Sequence, residues 1–432
     1  MPIRRMLFAV ITALMTTALA RAAETDALEA VAKKISEQIV EKPDVPAAMY
    51  GAKFLAAVPV EKLAELYKSF FAKYGRVKHE DLQRGATAAH GVFTFRFQDV
   101  EMPVTLTIEP DAPHRVVGLW FGPPTPRLKS WPDVVARLAK LPGQVSFQAV
   151  CLDEGKPLAV HQPDKALGIG SAFKLYVLAT LVDEKTAWDK VIHLEDRHKS
   201  LPSGVLQDWP AGAPLTMHTA AEEMISISDN TAADTLLALA GREEVERRLA
   251  TFGMKNPEAN MPFLSTREFF RLKSDAALRK EYLLANAEVR RKLLARMEEM
   301  PRLKAADLFW DGPLAIDRIE WFASAADLCR VLGWLDAHGG ETALAILAVN
   351  SGKAMPADHF AYVGYKGGSE SGVLSMSWLL HARDGRHYAM SAIWNDTAKG
   401  VDLGELVGLM SAAGELIASP DTPADKPAAE SR

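Results

Sequence analysis

The stretch GIGSAFKLYVLATLV, residues 168–182, places a serine and a lysine at the start of a helix that is apolar on every side. Ser171 and Lys174 are three residues apart, so their side chains are expected on one helix face. Unpaired N–H groups at a helix N-terminus stabilise a developing oxyanion, and a half-buried lysine beside a second cation loses its proton easily. The alternative is a capping serine beside a solvated lysine, since a lone Ser-x-x-Lys occurs by chance about once in a chain of this length.

A second motif, Ser228-Asp229-Asn230, separates two predicted helices, Thr219–Ile227 and Thr231–Leu239. In a catalytic site, Ser228 would pass a proton to the leaving group, and Asn230 would orient Lys174 or a substrate amide. The alternative is a helix-capping cluster, because serine, aspartate and asparagine are all preferred caps. Both interpretations stay open at this point.

A third motif, Lys366-Gly367-Gly368-Ser369, ends the predicted strand Ala361–Lys366. Glycine on an edge strand lets a substrate backbone approach closely, and the Ser369 N–H could be a second oxyanion donor beside that of Ser171. Lys366 would attract a substrate carboxylate and lower the pKa of Lys174. The alternative is a glycine-rich turn.

The pattern of predicted elements indicates two α+β domains. In residues 23–126, two helices precede an antiparallel meander, and the proline-rich break Gly122–Pro126 marks the boundary. Residues 127–418 form the second domain, and residues 419–432 are predicted to be a disordered tail. The strands of the second domain come from both of its ends, so one antiparallel sheet flanked by helices is expected. These strands are Val145–Leu152, Pro157–Gln162, Ala361–Lys366, Val373–Ala382 and His387–Asn395.

The first 22 residues have the pattern of a secretory signal peptide. Arg4 and Arg5 precede an apolar stretch at residues 7–18, which is too short to span a bilayer, and Ala20-Arg21-Ala22 offers a cleavage site. We therefore predict a periplasmic or secreted protein, with an uncleaved N-terminal anchor as the alternative. No later stretch is long and apolar enough to span, so no transmembrane anchor is predicted.

Composition limits the kinds of partner and cofactor. The chain has 432 residues and a net charge of −5, which does not favour nucleic acid or anionic lipid as a partner. The histidines are scattered without metal-ligand spacing, so neither a metal nor another cofactor is predicted. Cys151 and Cys329 could pair after export, or could stay as two separately buried thiols, which we favour. The oligomeric state is not predicted.

The three motifs, in this order, resemble the signature elements of the penicillin-interacting serine enzymes, and most closely those of class A β-lactamases. The resemblance covers roughly residues 130–418, and Asp229–Ala233 matches the class A continuation well. With its N-terminal domain, and with the segment Pro262–Glu268, the chain is similar to exported proteins related to the β-lactamase-like protein of clavulanate biosynthesis clusters. The resemblance implies a β-lactamase/transpeptidase-like fold.

The resemblance also implies a role for each motif residue. Ser171 would be the nucleophile, Lys174 its base and Ser228 the proton relay. Five further residues would bind the substrate, namely Asn230, Lys366, Gly367, Gly368 and Ser369.

The chain departs from the class A pattern at two places. The family's glutamate that activates the deacylating water has no clear counterpart in residues 253–264, where Glu258 is the candidate water base and a solvated loop glutamate is the alternative. Glu268 is interpreted instead as the capping-box partner of Ser265. Gly367 stands where the family usually has threonine or serine, so a hydroxyl is missing, which Ser369 or Ser371 could supply.

The sequence thus predicts an exported serine hydrolase that forms an acyl-enzyme at Ser171 with a small ester, amide or β-lactam substrate. Two alternatives remain. One is a true class A β-lactamase with fast deacylation. The other is a penicillin- or cell-wall-peptide-binding protein with little turnover.

Overall fold

A computed structural model of the chain separates it into two compact units. One unit extends to Arg127 and takes in Gly404–Ala412, and the other comprises Leu128–Leu403 and continues from Ala413. The predicted signal peptide, 1–22, and the predicted tail, 419–432, lie outside the described residues. Within the described part of the chain, no helix is both long and apolar enough to cross a membrane. The structure describes residues 27–87, 89–308, 310–352, 354–355 and 359–418.

The first unit packs helices on an antiparallel sheet. Its first four strands pair in chain order, and the fifth, Thr125–Pro126, pairs with Val100–Ile108. Apolar residues alternate with polar ones, which places Phe93, Phe95 and Phe97 in the core at 1% exposure or less. The hydroxyls of Tyr50 and Tyr67 hydrogen-bond each other at 2.9 Å within that core. The helices are residues 27–38, Ala47–Met49 (3₁₀), Ala52–Ala57 and Val60–Tyr74, and the strands are His79–Thr87, His90–Arg96, Val100–Ile108, Val116–Phe121 and Thr125–Pro126.

The second unit is built on a five-stranded antiparallel sheet. Val373–Ala382 and His387–Asn395 are buried along almost their whole length, because they lie inside the sheet. The N-terminal strands join the C-terminal ones where Gln144–Cys151 pairs with His387–Asn395, as the sequence predicted. The strand order across the sheet is Phe360–Glu370, Val373–Ala382, His387–Asn395, Gln144–Cys151 and Lys156–His161.

Helices cover this sheet, and Lys174–Asp183 is almost wholly buried because most of its residues are apolar. Two short strand pairs complete the described part of the unit: Val191–His193 with Pro214–Thr216, and Leu167–Gly168 with Phe322–Ala323. The α-helices of the second unit are Trp131–Leu138, Lys174–Asp183, Met217–Ser226, Asn230–Ala240, Arg242–Arg248, Thr266–Ser274, Ala276–Leu284, Ala287–Glu298, Ala325–His338 and Gly340–Ala348. The helix Leu403–Ala418 is divided between the units, with its residues Gly404–Ala412 in the first. The 3₁₀ helices are Gly170–Phe173, Asp196–His198, Leu206–Asp208, Pro257–Asn260 and Ala305–Leu308.

Two local expectations were wrong. The strand that was expected to end at Lys366 continues to Glu370, because tertiary pairing with Val373–Ala382 outweighs the poor strand propensity of its glycines. The segment 267–304 is rich in Arg, Lys and Glu at helical spacing, and this pattern predicts a solvated helical pair, but the segment contains three helices. Asp275 and Asn286 cap the second and third of these by accepting N–H groups of the next turn, so each ends the preceding helix.

Candidate active site

Ser171 lies in a cleft of about 580 Å³ within the second unit. It sits on the 3₁₀ turn Gly170–Phe173, which leads directly into the buried helix Lys174–Asp183. Among the predicted site residues, the structure brings seven together on the wall of this cleft. These are Ser171, Ser228, Asn230, Lys366, Gly367, Gly368 and Ser369.

Lys174 does not reach the surface of the cleft, and its side chain is fully buried. Its amine donates to the Ser228 carbonyl oxygen at 2.6 Å, to the Ser228 hydroxyl at 3.1 Å and to Asn230 Oδ1 at 2.8 Å. Burial, and then the positive charge of Lys366, hold the pKa of Lys174 well below its usual value, although Asp234 and Asp229 oppose this shift. A lysine with a lowered pKa can accept a proton near neutral pH.

The Ser228 hydroxyl joins the two lysines. It accepts from Lys174 Nζ at 3.1 Å and from Lys366 Nζ at 3.0 Å. A hydroxyl has two acceptor positions and one proton, so with both positions filled its own proton is available for donation. The backbone of Ser228 is left-handed, with φ of +60°.

Asp229 fixes the turn that carries these groups. Its carboxylate accepts the Ala232 N–H at 2.8 Å, and so caps the helix Asn230–Ala240. The same carboxylate accepts the N–H groups of Val205 and Leu206 at 2.7 and 2.9 Å. The capping interpretation therefore applies to Asp229, whereas the side chains of Ser228 and Asn230 bond the amine of Lys174.

The edge strand Phe360–Glu370 passes unusually close to the turn that carries the nucleophile. A β-carbon on Gly368 would lie 2.5 Å from the Ser171 nitrogen, and one on Gly170 would lie 2.9 Å from the Ser369 nitrogen. Only glycine leaves room for this approach, which places the Ser171 and Ser369 backbones side by side. Lys366, on the same strand, donates to the Gly367 carbonyl oxygen at 2.8 Å, and burial lowers the pKa of Lys366 to about 7.

Tyr365 explains why residue 367 is glycine. A β-carbon at residue 367 would fall against the Tyr365 hydroxyl oxygen, so threonine and serine are excluded while the tyrosine holds this position. Tyr365 lines the cleft, and burial raises the pKa of its phenol to about 12, so the hydroxyl keeps its proton. The Tyr365 hydroxyl thus occupies the place where the β-carbon of the threonine or serine usual in class A β-lactamases would lie. Sequence reasoning missed Tyr365, although its place two residues before Gly367 puts both on one face of the strand.

Glu258 lies away from the cleft. It is exposed on the 3₁₀ turn Pro257–Asn260 and is not among the residues that line the Ser171 cleft. Its interpretation as a water base is therefore corrected to a solvated loop glutamate.

Glu268 forms the predicted capping box with Ser265, and it also accepts a bidentate hydrogen bond from Arg242 at 3.0 and 2.7 Å.

The two carboxyl groups that do line the cleft were not predicted. Glu320 and Glu370 lie 50 positions apart in sequence, and both contribute to its wall. The one sequence signal was the place of Glu370 directly after the glycine motif. The sequence gives no comparable signal for Glu320.

The cysteines and two of the histidines were examined as possible disulfide partners and metal ligands. Cys151 and Cys329 are both free and buried, in agreement with the interpretation that we favoured. His381 and His387 pair across a hairpin, and their ring nitrogens lie 2.7 and 2.8 Å from the two carboxylate oxygens of Asp336. The two imidazole rings are stacked, parallel within 6° and with their centroids 3.7 Å apart. Asp336 thus hydrogen-bonds both histidines, and the ligand atoms of the three side chains all lie within 4.8 Å of one another.

Comparison with known proteins gives a family match and several structural neighbours. The model of the family described as "Beta-lactamase enzyme family" matches residues 131–417. A β-lactamase from Sphaerobacter thermophilus DSM 20745 is 20% identical with a TM-score of 0.47, over 68% of this chain and 100% of that chain. A β-lactamase from Chitinophaga pinensis DSM 2588 is 17% identical with a TM-score of 0.47, over 67% and 98%. A structure of PBP-A is 14% identical with a TM-score of 0.46, over 66% and 95%. The comparison with curated proteins found no match.

Proposed function

The chain belongs to the β-lactamase enzyme family, and we propose that it is an exported serine hydrolase that forms an acyl-enzyme at Ser171 with ester, amide or β-lactam substrates. Family membership confirms the predicted superfamily and its β-lactamase/transpeptidase-like α+β fold. The observation that carries the proposal is the junction at Ser228, where two buried amines meet one hydroxyl beside the nucleophile. The proposed export follows from the signal-like residues 1–22.

Acylation uses three side chains in sequence. Lys174 first loses to solvent one of the three protons that it donates in the resting site, which its lowered pKa permits. The Ser171 hydroxyl then attacks the carbonyl carbon while its proton passes to the neutral amine of Lys174. The oxygen of the tetrahedral intermediate is held by the N–H groups of Ser171 and Ser369. As the bond to the leaving group breaks, Ser228 donates its proton to that group and recovers one from the Lys174 ammonium, which returns the lysine to its starting form.

The walls of the cleft suggest what kind of acyl group it accepts. Phe269, Phe270 and Trp321 supply an apolar surface, and Lys366 is the basic side chain on the cleft wall within the described residues. An apolar acyl group with at most one carboxylate suits this lining. Lys366 and the Tyr365 hydroxyl would bind that carboxylate.

A second candidate is a penicillin-binding protein with little turnover. The position of Glu258 favours it, because an exposed carboxylate outside the cleft cannot activate a water at the acyl bond. The two candidates share acylation at Ser171 and differ in how fast the acyl group leaves.

The test is intact-mass measurement after incubation with a fluorescent penicillin, together with release of nitrophenol from simple acyl esters. We expect one added acyl mass that is absent from Ser171→Ala, and ester hydrolysis that the same substitution abolishes. A mass that persists for hours without ester turnover would favour the binding protein. Rapid penicillin hydrolysis without a lasting adduct would indicate a true β-lactamase.

The control is Ser69→Ala, which changes an exposed serine in the first unit. It should behave as the unaltered protein does. If Ser171→Ala retained all activity, the proposed mechanism would be wrong.

A further inference from the structure

A cluster of three buried ionisable side chains lies beside the nucleophile and takes no part in the acylation steps above. Lys273 has no exposed side-chain surface, and its amine lies 2.7 Å from Glu370 Oε1. Glu320 is 4% exposed, and its Oε2 accepts the N–H groups of Gly170 at 3.1 Å and Trp321 at 2.9 Å. Both glutamates line the same cleft, and the charge of Glu370 raises the pKa of Glu320, so the two carboxyl groups lie close together.

Every buried carboxyl oxygen of this cluster has a hydrogen-bond partner only if Glu320 and Glu370 share one proton. With both carboxyl groups ionised, Glu320 Oε1 and Glu370 Oε2 are buried without a partner among the described residues. Buried oxygens without partners are rare and costly. A proton on Glu320 Oε1, donated to Glu370 Oε2, satisfies both oxygens at once. The cluster is then neutral, with Lys273 paired to an ionised Glu370 and Glu320 uncharged.

Each glutamate is tied to one of the two proposed oxyanion donors. Glu320 binds the Gly170 N–H, and Gly170 directly precedes Ser171. Glu370 directly follows Ser369 on the edge strand. A bond between the two carboxyl groups therefore ties the turn of the nucleophile to the strand that carries the second donor.

We propose that Glu320 and Glu370 share one proton, and that this acid–carboxylate bond holds the Ser171 and Ser369 N–H groups at the spacing an oxyanion needs. The proposal rests on the proposed acylation of Ser171. Glu320 is a positioning residue in it, acting through backbone groups and not on the substrate. A misplaced oxyanion donor costs about 10²-fold in rate, so the bond matters for catalysis.

The electrostatic surroundings agree with a protonated Glu320. Burial raises the pKa of Glu320 well above its usual value, the charge of Glu370 raises it further, and Lys273 on the helix Thr266–Ser274 opposes both. Burial also raises the pKa of Glu370, and Lys273 lowers it. Because Lys273 lies against Glu370, the proton resides on Glu320.

The same carboxyl group could instead be the base that activates the deacylating water. The two roles differ in how they respond to Glu320→Gln. Glutamine keeps a carbonyl oxygen for Gly170 and Trp321 and offers an N–H to Glu370, so it imitates the protonated acid. It cannot accept a proton from water.

The experiment compares Glu320→Gln with Glu320→Ala, and with Glu288→Gln as a control on an exposed glutamate. The readouts are kcat for a neutral nitrophenyl ester between pH 6 and the alkaline limit of folding, intact mass, and the melting temperature at each pH. We expect Glu320→Gln to stay within about threefold of the unaltered enzyme at neutral pH, and Glu320→Ala to lose about 30-fold or more. The unaltered enzyme should lose kcat and melting temperature toward alkaline pH, where Glu320 ionises, whereas Glu320→Gln should not.

A carboxyl group whose pKa is raised by folding stabilises the folded state at low pH, and this stabilisation is lost as the pH rises through the raised pKa. The melting temperature of the unaltered protein should therefore fall relative to that of Glu320→Gln as the pH increases. This second readout remains valid if Glu320→Ala does not fold.

Two outcomes would overturn the inference. Accumulation of acyl-enzyme in Glu320→Gln, with kcat as low as in Glu320→Ala, would identify a general base. Superimposable pH profiles and a constant difference in melting temperature would show that no shared proton exists. Ester hydrolysis that survives Ser171→Ala would instead refute the proposed function, whatever the Glu320 variants do.

Discussion

Two groups of buried ionisable side chains adjoin one cleft, and they meet the cost of burial in opposite ways. The amines of Lys174 and Lys366 bond neutral oxygens, and burial lowers the pKa of both. The carboxyl groups of Glu320 and Glu370 adjoin a lysine and each other, and burial raises the pKa of both. Burial therefore disfavours the charged form of both lysines and of both glutamates, and backbone N–H dipoles are left to stabilise the charge that develops in the reaction.

The largest expected effect is the loss of acylation when Ser171 or the amine of Lys174 is removed. Ser171→Ala and Lys174→Ala should each reduce acylation by about 10³-fold or more, because attack and proton removal are one step. The double variant should be no slower than either single one. Single-turnover labelling with a fluorescent penicillin measures all three, and additive losses would mean that the two side chains act independently.

The next largest effect is expected on kcat at Gly368, where the edge strand passes the turn that carries Ser171. Gly368→Ala should lower kcat by about 10²-fold, because a β-carbon there would push the edge strand away from the Ser171 nitrogen. Gly400→Ala is the matched control, since nothing lies within 4 Å of a β-carbon at that position. Ester hydrolysis and circular dichroism separate a local shift from unfolding. Full activity in Gly368→Ala would show that the close approach is not needed.

The charge of Lys366 should make substrate binding pH-dependent. Its pKa is about 7, so the ammonium form that binds a carboxylate is lost as the pH rises through neutrality. The KM of a carboxylate-bearing substrate should increase about tenfold between pH 6 and pH 8, while the KM of a neutral ester stays constant. Steady-state kinetics on the two substrates measure this directly. A KM that is flat with pH for both would remove Lys366 from anion binding.

Tyr365→Phe should have a smaller effect of the same kind. Phenylalanine keeps the contact with Trp378, whose ring centroid lies 5.0 Å away, and loses only the hydroxyl. One hydrogen bond contributes about 1 kcal/mol, so KM for a carboxylate-bearing substrate should rise about fivefold. The neutral ester is the internal control. An equal change for both substrates would indicate a packing defect.

The smallest effect is expected at Glu258. Glu258→Gln should change deacylation less than about twofold, because the side chain is exposed and lies outside the cleft. The rate at which the acyl mass disappears measures this. A tenfold slower deacylation in Glu258→Gln would show that Glu258 takes part in the reaction.

The sequence predicted the amine side well because its residues lie in short motifs with fixed chemistry. Ser171 and Lys174 share one turn, so local spacing was enough to place them together. The bond from Lys174 to Asn230 spans 56 positions, and the sequence suggested it only as one of two possible roles for Asn230. Family, enzyme class and fold were confirmed by the family match, while the roles of individual residues stay predictions.

The pairing of Glu320 with Glu370 was not predicted, because the two glutamates do not belong to a common sequence motif. Glu320 and Glu370 meet only when the sheet edge and the segment before Phe322–Ala323 fold together, and residue spacing does not encode this. Tyr365 was missed for a different reason. The strand was expected to end at Lys366, which hid the alternation that puts Tyr365 and Gly367 on one face.

The left-handed backbone of Ser228 restricts which amino acid can serve at that position. Glycine and asparagine tolerate such a conformation, but neither carries a hydroxyl, and threonine carries one on a branched β-carbon that the conformation disfavours. Serine alone among the hydroxyl-bearing aliphatic side chains meets both demands. Evolution of a new substrate preference in this cleft must therefore proceed through its walls, because the residue at the centre has no acceptable replacement.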